Sequence, residues 1–184
     1  MATLWKGGDL FAAAVAKLCS SSHSEQRPRI VTFGAEPFQA PELAGLVEIS
    51  HFGPVRDRRL MAILYSAADV FCAPSRMENL ANTVLESLAS GTPVAAFQIG
   101  GMPDMIDHQV NGYLASPFDT ADYASGIAWG LRQSADGHMR DACRQKVMEA
   151  FSLEREIEGY LQIYRRFCGA ISKAAAFEPR PAYP

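Results

Sequence analysis

Apolar residues recur along this chain in two alternating periods. Leu10, Phe11, Ala14, Val15 and Leu18 follow one another at helical spacing behind Asp9, a residue type that caps helices, and the polar run from Ser20 to Ser24 closes the segment. The next run is of the other kind. Arg29-Ile30-Val31-Thr32-Phe33 is short, β-branched and closed by Gly34, as a buried parallel strand should be, and Leu46-Val47-Glu48-Ile49 repeats the theme more weakly. The alternation then quickens: a helix over 57–67, a strand over 70–73, a helix over 83–90, a strand over 93–97, a short helix over 103–106, and a strand over 113–115 after a turn at Asn111-Gly112. Asn82 is the expected N-cap of the 83–90 helix and Gly91 its C-terminal stop. Beyond Pro117 the periodicity is helical only, over 121–133, 138–151 and 152–167. The last stretch is amphipathic, with Leu153, Ile157, Tyr160, Leu161 and Tyr164 along one side.

Strands and helices exchanging at this short spacing imply an α/β fold: a Rossmann-like parallel sheet with helices on both faces, followed by C-terminal helices. Residues 1–170 are expected to form this one domain, and 171–184, with Pro179, Pro181 and Pro184 and no periodicity, a disordered tail. Open α/β sheets bind ligands beyond the carboxyl ends of their strands. The loops after Phe33, Ala73 and Phe97 are therefore the ones to read for chemistry.

Composition narrows the partners. With 17 basic against 20 acidic residues the net charge is −3, so no broad cationic field exists for nucleic acid or an anionic membrane. The small clusters Arg27/Arg29, Arg56/Arg58/Arg59 and Arg165/Arg166 read as solvated faces. Cys19, Cys72, Cys143 and Cys168 form no Cys-x-x-Cys pair and His23, His51, His108 and His138 are scattered, which gives neither metal-ligand spacing nor a disulfide framework. A reduced, cytoplasmic protein is expected. The apolar stretch over 10–15 is too short to span a bilayer, so no transmembrane segment is expected.

The richest loop is Pro74-Ser75-Arg76-Met77-Glu78-Asn79-Leu80-Ala81-Asn82, which leaves a strand and feeds a helix. A helix N-terminus offers unpaired N–H groups and a favourable potential to an anion such as a diphosphate. Glu86, expected in the first turn, is an acceptor-only group able to take both hydroxyls of a ribose, while Glu78 would approach the ligand beyond its phosphates. Each glutamate alone also has an ordinary account, since the helix dipole favours an acid in a first turn and a surface loop tolerates one anywhere.

Their joint context says more. The run Ala67-Ala68-Asp69-Val70-Phe71-Cys72-Ala73-Pro74-Ser75, then Glu78, seven residues, Glu86, and Leu88-Ala89-Ser90-Gly91-Thr92-Pro93-Val94-Ala95 resembles the donor-site signature of glycosyltransferase family 4. Gly100-Gly101-Met102-Pro103-Asp104-Met105-Ile106, Asn111-Gly112-Tyr113-Leu114 and the pair Lys6-Gly7 extend the resemblance, which runs from about Lys6 to Tyr164. The loop Glu78 to Val84 is most similar to bacterial members that build surface polysaccharides, which commonly carry proline at the place of Ala81.

The resemblance implies the C-terminal half of a GT-B fold, in which two Rossmann-like domains face each other across a cleft. It also implies transfer of a sugar, with retention, from a nucleotide diphosphate sugar to a hydroxyl acceptor in polysaccharide or lipopolysaccharide biosynthesis. It assigns Glu78 and Lys6 to the catalytic set, Glu78 by the donor sugar and Lys6 on the diphosphate. Glu86 is assigned to the ribose, and Asn79, Leu80, Ala81, Asn82, Thr83, Gly100 and Gly101 to donor binding. No cofactor or metal is expected, and Asp104 and Asp107 read as an ordinary polar helix face. Two departures stand out: no arginine precedes Lys6, and the N-terminal acceptor-binding domain is expected to be missing, so the sequence reads as a truncated piece or a remnant gene. Peripheral attachment to the inner membrane face would run through that absent domain. Gly100-Gly101 reads either as close backbone approach to the ligand or as a turn pair, and Arg76 either as a phosphate contact or as a solvent-facing side chain. The competing functions are a nucleotide-sugar 2-epimerase-like domain, which should carry further acid–base groups beyond Glu78, and a non-catalytic nucleotide-binding module. A receiver- or flavodoxin-like domain would need an acidic or phosphate-binding cluster after its first strand, and Thr32-Phe33-Gly34-Ala35-Glu36 supplies little.

Overall fold

Each short apolar run becomes a parallel strand and each 3.6-residue period a helix. The computed structural model describes residues 4–21, 28–133 and 137–167; the expected tail at 171–184 lies outside them. After a 3₁₀ turn at Leu4–Lys6 come α1 (Gly8–Ser21), β1 (Arg29–Thr32), β2 (Glu48–His51), α2 (Arg58–Ser66), β3 (Phe71–Ala73), α3 (Asn82–Ala89), β4 (Val94–Phe97), α4 (Met102–Met105), β5 (Gly112–Ala115), α5 (Thr120–Gln133), α6 (Gly137–Ala150) and α7 (Leu153–Phe167).

Where local chemistry decides an end, sequence and structure agree. Asp57 caps α2, its carboxylate accepting from the Arg59 and Leu60 amides, and Gly91 follows α3 with φ +81, a left-handed stop that glycine adopts without strain. Asp9 is different. It lies inside the first turn of α1 rather than ahead of it, and its carboxylate pairs with the Arg76 guanidinium. β2 sits two residues later than its apolar pattern, since the 3₁₀ turn Pro41–Leu43 buries Leu43 and sets Glu48 opposite Arg29, with which it forms an ion pair of 2.9 Å.

β4 organises the interior. Ala95 and Phe97 face a core built with α1 and α5 through Ala12, Val15, Tyr123 and Ile127, while Val94 and Ala96 face a second core built with α3, α4 and α6 through Val84, Leu88, Met102 and Cys143. All four β4 residues are buried, as expected of a strand covered on both faces. The Tyr123 hydroxyl donates to the Ala95 carbonyl at 3.0 Å, so even the polar tip of this buried ring is paired.

The strands are parallel, as expected, but their ladder is divided. β1 pairs with β2, and β3-β4-β5 forms a separate sheet, with no ladder joining β1 to β3. The two sheets meet through side chains instead: Ile30 shares the core of Ala95 and Phe97, and the Tyr65 ring stands edge-on to both Phe33 and Phe71. α7 buries none of its residues, leaving its apolar side, including Ile157, Tyr160 and Tyr164, open to solvent.

The turn ahead of β5 is fixed by a buried amide. Asn111 accepts from the Asp107 N–H at 2.8 Å and donates to the Met105 carbonyl at 3.2 Å, with no exposure of its own. Asn111→Ala leaves the buried Met105 carbonyl and the Asp107 N–H without this partner, and we expect a loss of about 2 kcal/mol in urea denaturation. A loss within experimental error would show that the turn does not depend on this side chain.

Candidate functional site

The loop after β3 is seated by close backbone packing. A Cβ on Gly100, whose φ is +48, would stand 1.9 Å from the Glu78 carbonyl oxygen, and one on Gly101 1.9 Å from that of Asn79. The glycine pair therefore seats the Glu78–Asn79 backbone, and the Gly101 N–H donates to the Glu78 carbonyl at 3.4 Å. On the other side Gly7, at φ +67, makes the same close approach to the Pro74 carbonyl, and the Arg76 N–H donates to Trp5 at 2.8 Å. The loop is clamped between the start of the chain and the turn that follows β4.

This clamp brings residues from distant parts of the sequence together. Lys6 Nζ lies 2.7 Å from Glu78 Oε2, and the Ser75 hydroxyl donates to the same oxygen at 3.5 Å. The Glu78 side chain is 18% exposed and that of Lys6 65%, so the pair has a sheltered anionic partner and a cationic partner at the surface. The Arg76 guanidinium is engaged by Asp9, taking both its oxygens at 2.7 and 2.5 Å. The Arg76 hydrogen bond holds the Asp9 carboxyl below its ordinary value despite the opposing effect of burial.

α3 begins one residue earlier than its cap chemistry suggests. Ala81, not Asn82, occupies the N-cap, with an extended backbone and no side-chain hydrogen bond, and Asn82 is the first helical residue. The Asn82 and Thr83 amides thus have no intrahelical acceptor and no capping side chain, and both residues are exposed. This shift moves Glu86 into the second turn, and the first turn of α3 carries no acid. Glu86 is instead fixed from α2: the Tyr65 hydroxyl donates to its Oε2 at 3.1 Å. Burial first, and then the Glu86 charge and hydrogen bond, push the Tyr65 phenol far above its ordinary value, so it stays a neutral donor.

A groove of about 1230 Å³ runs from this region down between the two sheets, with Lys6, Glu78, Ala81, Thr83 and Tyr65 on its wall. The structure thus brings together Lys6, Glu78, Ala81 and Thr83. Glu86 joins them only through Tyr65, Asn79 and Leu80 are exposed beside the loop, and Gly100 and Gly101 support it from below. Among the described residues no three His, Cys, Asp or Glu side chains gather as a metal site, and no helix is long and apolar enough to cross a membrane. Tyr65, Ser75 and Asp9 were missed in the sequence.

Comparison with known proteins extends the picture. The family model described as "Glycosyl transferases group 1" matches residues 1–133. D-inositol 3-phosphate glycosyltransferase of Saccharomonospora viridis is 33% identical over 132 residues, 71% of this chain and 30% of that protein, and the protein of the same name from Mycobacterium marinum is 31% identical over 176 residues, 89% and 36%. The chain spans about a third of the length of these curated relatives. Among solved structures, a glycosyltransferase from Rickettsia africae superposes with a TM-score of 0.71 at 23% identity, over 91% of this chain and 46% of that one. An Anabaena protein crystallised in complex with UDP superposes with a TM-score of 0.68 at 19% identity, over 88% and 46%. The parallel strands, the helices on both faces and these matches agree: the chain belongs to the group 1 glycosyl transferases and has the fold of a GT-B domain.

Proposed function

We propose that this chain binds the nucleotide diphosphate sugar in a retaining glycosyltransferase and that an N-terminal domain it does not include binds the acceptor. The observation that carries the reading is the Lys6–Glu78 ion pair set beside the open N-terminus of α3. An ammonium and the Asn82 and Thr83 amides are the groups a leaving diphosphate requires, because negative charge grows on it as the glycosidic bond breaks. Lys6 is the mobile member and exchanges its carboxylate partner for phosphate when donor binds. Glu78, sheltered and held by Ser75, then faces the sugar. The acceptor oxygen bonds to the anomeric carbon as the bond to the diphosphate breaks, and its proton passes to the leaving phosphate oxygen, so the step needs no protein nucleophile; in this reading Lys6 and the α3 amides, rather than Mg²⁺ or a cofactor, carry the phosphate charge.

Glu86 binds the ribose. Its Oε2 is taken by Tyr65, which leaves Oε1 and the remaining lone pairs of the carboxylate for the sugar hydroxyls. Asn79, Leu80, Gly100 and Gly101 serve donor binding through the shape and seating of the loop.

The names of the relatives support transfer to a hydroxyl, and the bound UDP in the Anabaena structure supports a nucleotide donor. For the acceptor we propose a bacterial surface polysaccharide or lipopolysaccharide, on the similarity of the Glu78–Val84 loop, with the work done in the cytoplasm or at its membrane face. A polyol phosphate acceptor is the second reading, favoured by the name that the curated relatives share.

Three outcomes test the assignment. A hydrogen bond to a charged group contributes roughly 1.5–3 kcal/mol, so Glu86→Gln should weaken nucleotide diphosphate binding about tenfold in calorimetric titration with a chelator present; an unchanged affinity removes the ribose role. Glu78→Ala should lower the preference for the sugar conjugate over the bare nucleotide, whereas equal losses for both would contradict contact with the sugar. The isolated chain should bind donor yet show no transfer, since water is not excluded without an opposing wall, and turnover by this chain alone would overturn the division of labour.

A further inference from the structure

One polar group on the groove wall is spent on another side chain of the site. Tyr65, in the last turn of α2, is only 3% exposed, yet its hydroxyl reaches the carboxylate of Glu86, an exposed residue of α3. The place of that hydroxyl is fixed from several directions. The ring stands edge-on to Phe33, just past β1, with centroids 5.6 Å apart, and to Phe71 of β3 at 5.4 Å. The Tyr65 carbonyl accepts from the buried Thr92 hydroxyl at 2.6 Å and from the Ala68 amide at 3.0 Å. Thr92 belongs to the turn that closes α3, and its own carbonyl accepts from Ser87 Oγ at 3.1 Å. The backbone of Tyr65 is thus tied to the helix that carries Glu86 and its ring to two strands, so the phenol is a rigid donor aimed at a side chain that otherwise turns freely.

A buried phenol needs a partner, and a carboxylate at the rim supplies one in any protein. Two features of this pair go further. Tyr65 has a single proton to give, and among the described residues no other group bonds to the Glu86 carboxylate, so most of its accepting capacity stays open. Nor, among the described residues, does any cation form an ion pair with Glu86. A neutral donor therefore orients the carboxylate without cancelling the charge that makes it a strong acceptor for hydroxyls.

We infer that Tyr65 is the positioning residue of the ribose site: it holds the Glu86 carboxylate in one orientation before the nucleotide arrives, so that a ribonucleoside diphosphate is bound in preference to one whose sugar lacks the 2′ and 3′ hydroxyls. The inference rests on the assignment of Glu86 to the ribose. A free glutamate surrenders rotamer freedom when it binds, and the hydrogen bond to Tyr65 takes part of that loss in advance, during folding. Tyr65 acts through Glu86 and touches no ligand itself.

The test titrates UDP, GDP and ADP, each paired with its 2′,3′-dideoxy counterpart, into three proteins by calorimetry: the chain itself, Glu86→Gln and Tyr65→Phe. The pair whose ribonucleotide binds the chain most tightly is then followed through the variants. Phenylalanine keeps the ring beside Phe33 and Phe71 and removes only the O–H. The chain itself should prefer the ribonucleotide, and Glu86→Gln should bring the two affinities close together. Tyr65→Phe should narrow the ratio about fivefold, the cost of immobilising one long side chain, through weaker binding of the ribonucleotide alone; undiminished binding of the dideoxy nucleotide shows that the fold is intact. A ratio in Tyr65→Phe equal to or wider than that of the chain itself would overturn the positioning role and leave Glu86 in its own. Equal losses for both nucleotides would overturn it too, assigning Tyr65 to the fold only. If instead Glu86→Gln leaves the ratio intact, or none of the three ribonucleotides binds, the ribose assignment itself fails and the inference with it.

Discussion

Burial of β4 on both faces is the constraint from which the rest follows. A strand whose successive side chains alternate between two cores must have helices on either side, and Val94–Phe97 satisfies this with residues of unequal size, Phe97 reaching toward Tyr123 and the small Ala95 and Ala96 admitting close neighbours. The loops at its carboxyl end and at that of β3 are thereby brought side by side. Gly100-Gly101 can then receive the Glu78–Asn79 backbone, and the helix that follows opens its first amides at the same place. The position of the site is a by-product of how a buried strand is covered.

The site itself is built from interactions remote in sequence. Lys6 meets Glu78, Asp9 meets Arg76, and Tyr65 meets Glu86. In each case a charge that reads as isolated acquires a fixed partner, and the pairs sort by role. Arg76 and Asp9, doubly hydrogen-bonded, are a structural clasp, whereas the single contact of Lys6, on a largely exposed side chain, is one a ligand can replace.

What could be read from the sequence was local. The stop after α3 depends on a residue within a turn of it, and Gly91 announces it. The signature around Glu78 and Glu86 was equally legible because its parts lie on one loop and one helix. The division of the sheet was not, since a short apolar run states that a strand exists and nothing about which edge is paired. The start of α3 was misplaced for a related reason: Asn82 is the better capping residue, yet the seating of the loop on the glycine pair decides where the backbone turns helical, and Ala81 falls at the cap. Glu86 moved back with it, into the second turn.

Alanine at that N-cap has an energetic meaning. Serine, asparagine or aspartate there would contribute about 1 kcal/mol by satisfying an amide of the first turn, and would do so by placing an oxygen where the proposed anion would sit. The free chain forgoes that stabilisation, and on the proposed reading a bound anion restores it. If the proposed donor site is right, nucleotide affinity and thermal stability are drawn from the same unpaired amides, and selection for a more stable chain at Ala81 would act directly against retention of the ligand.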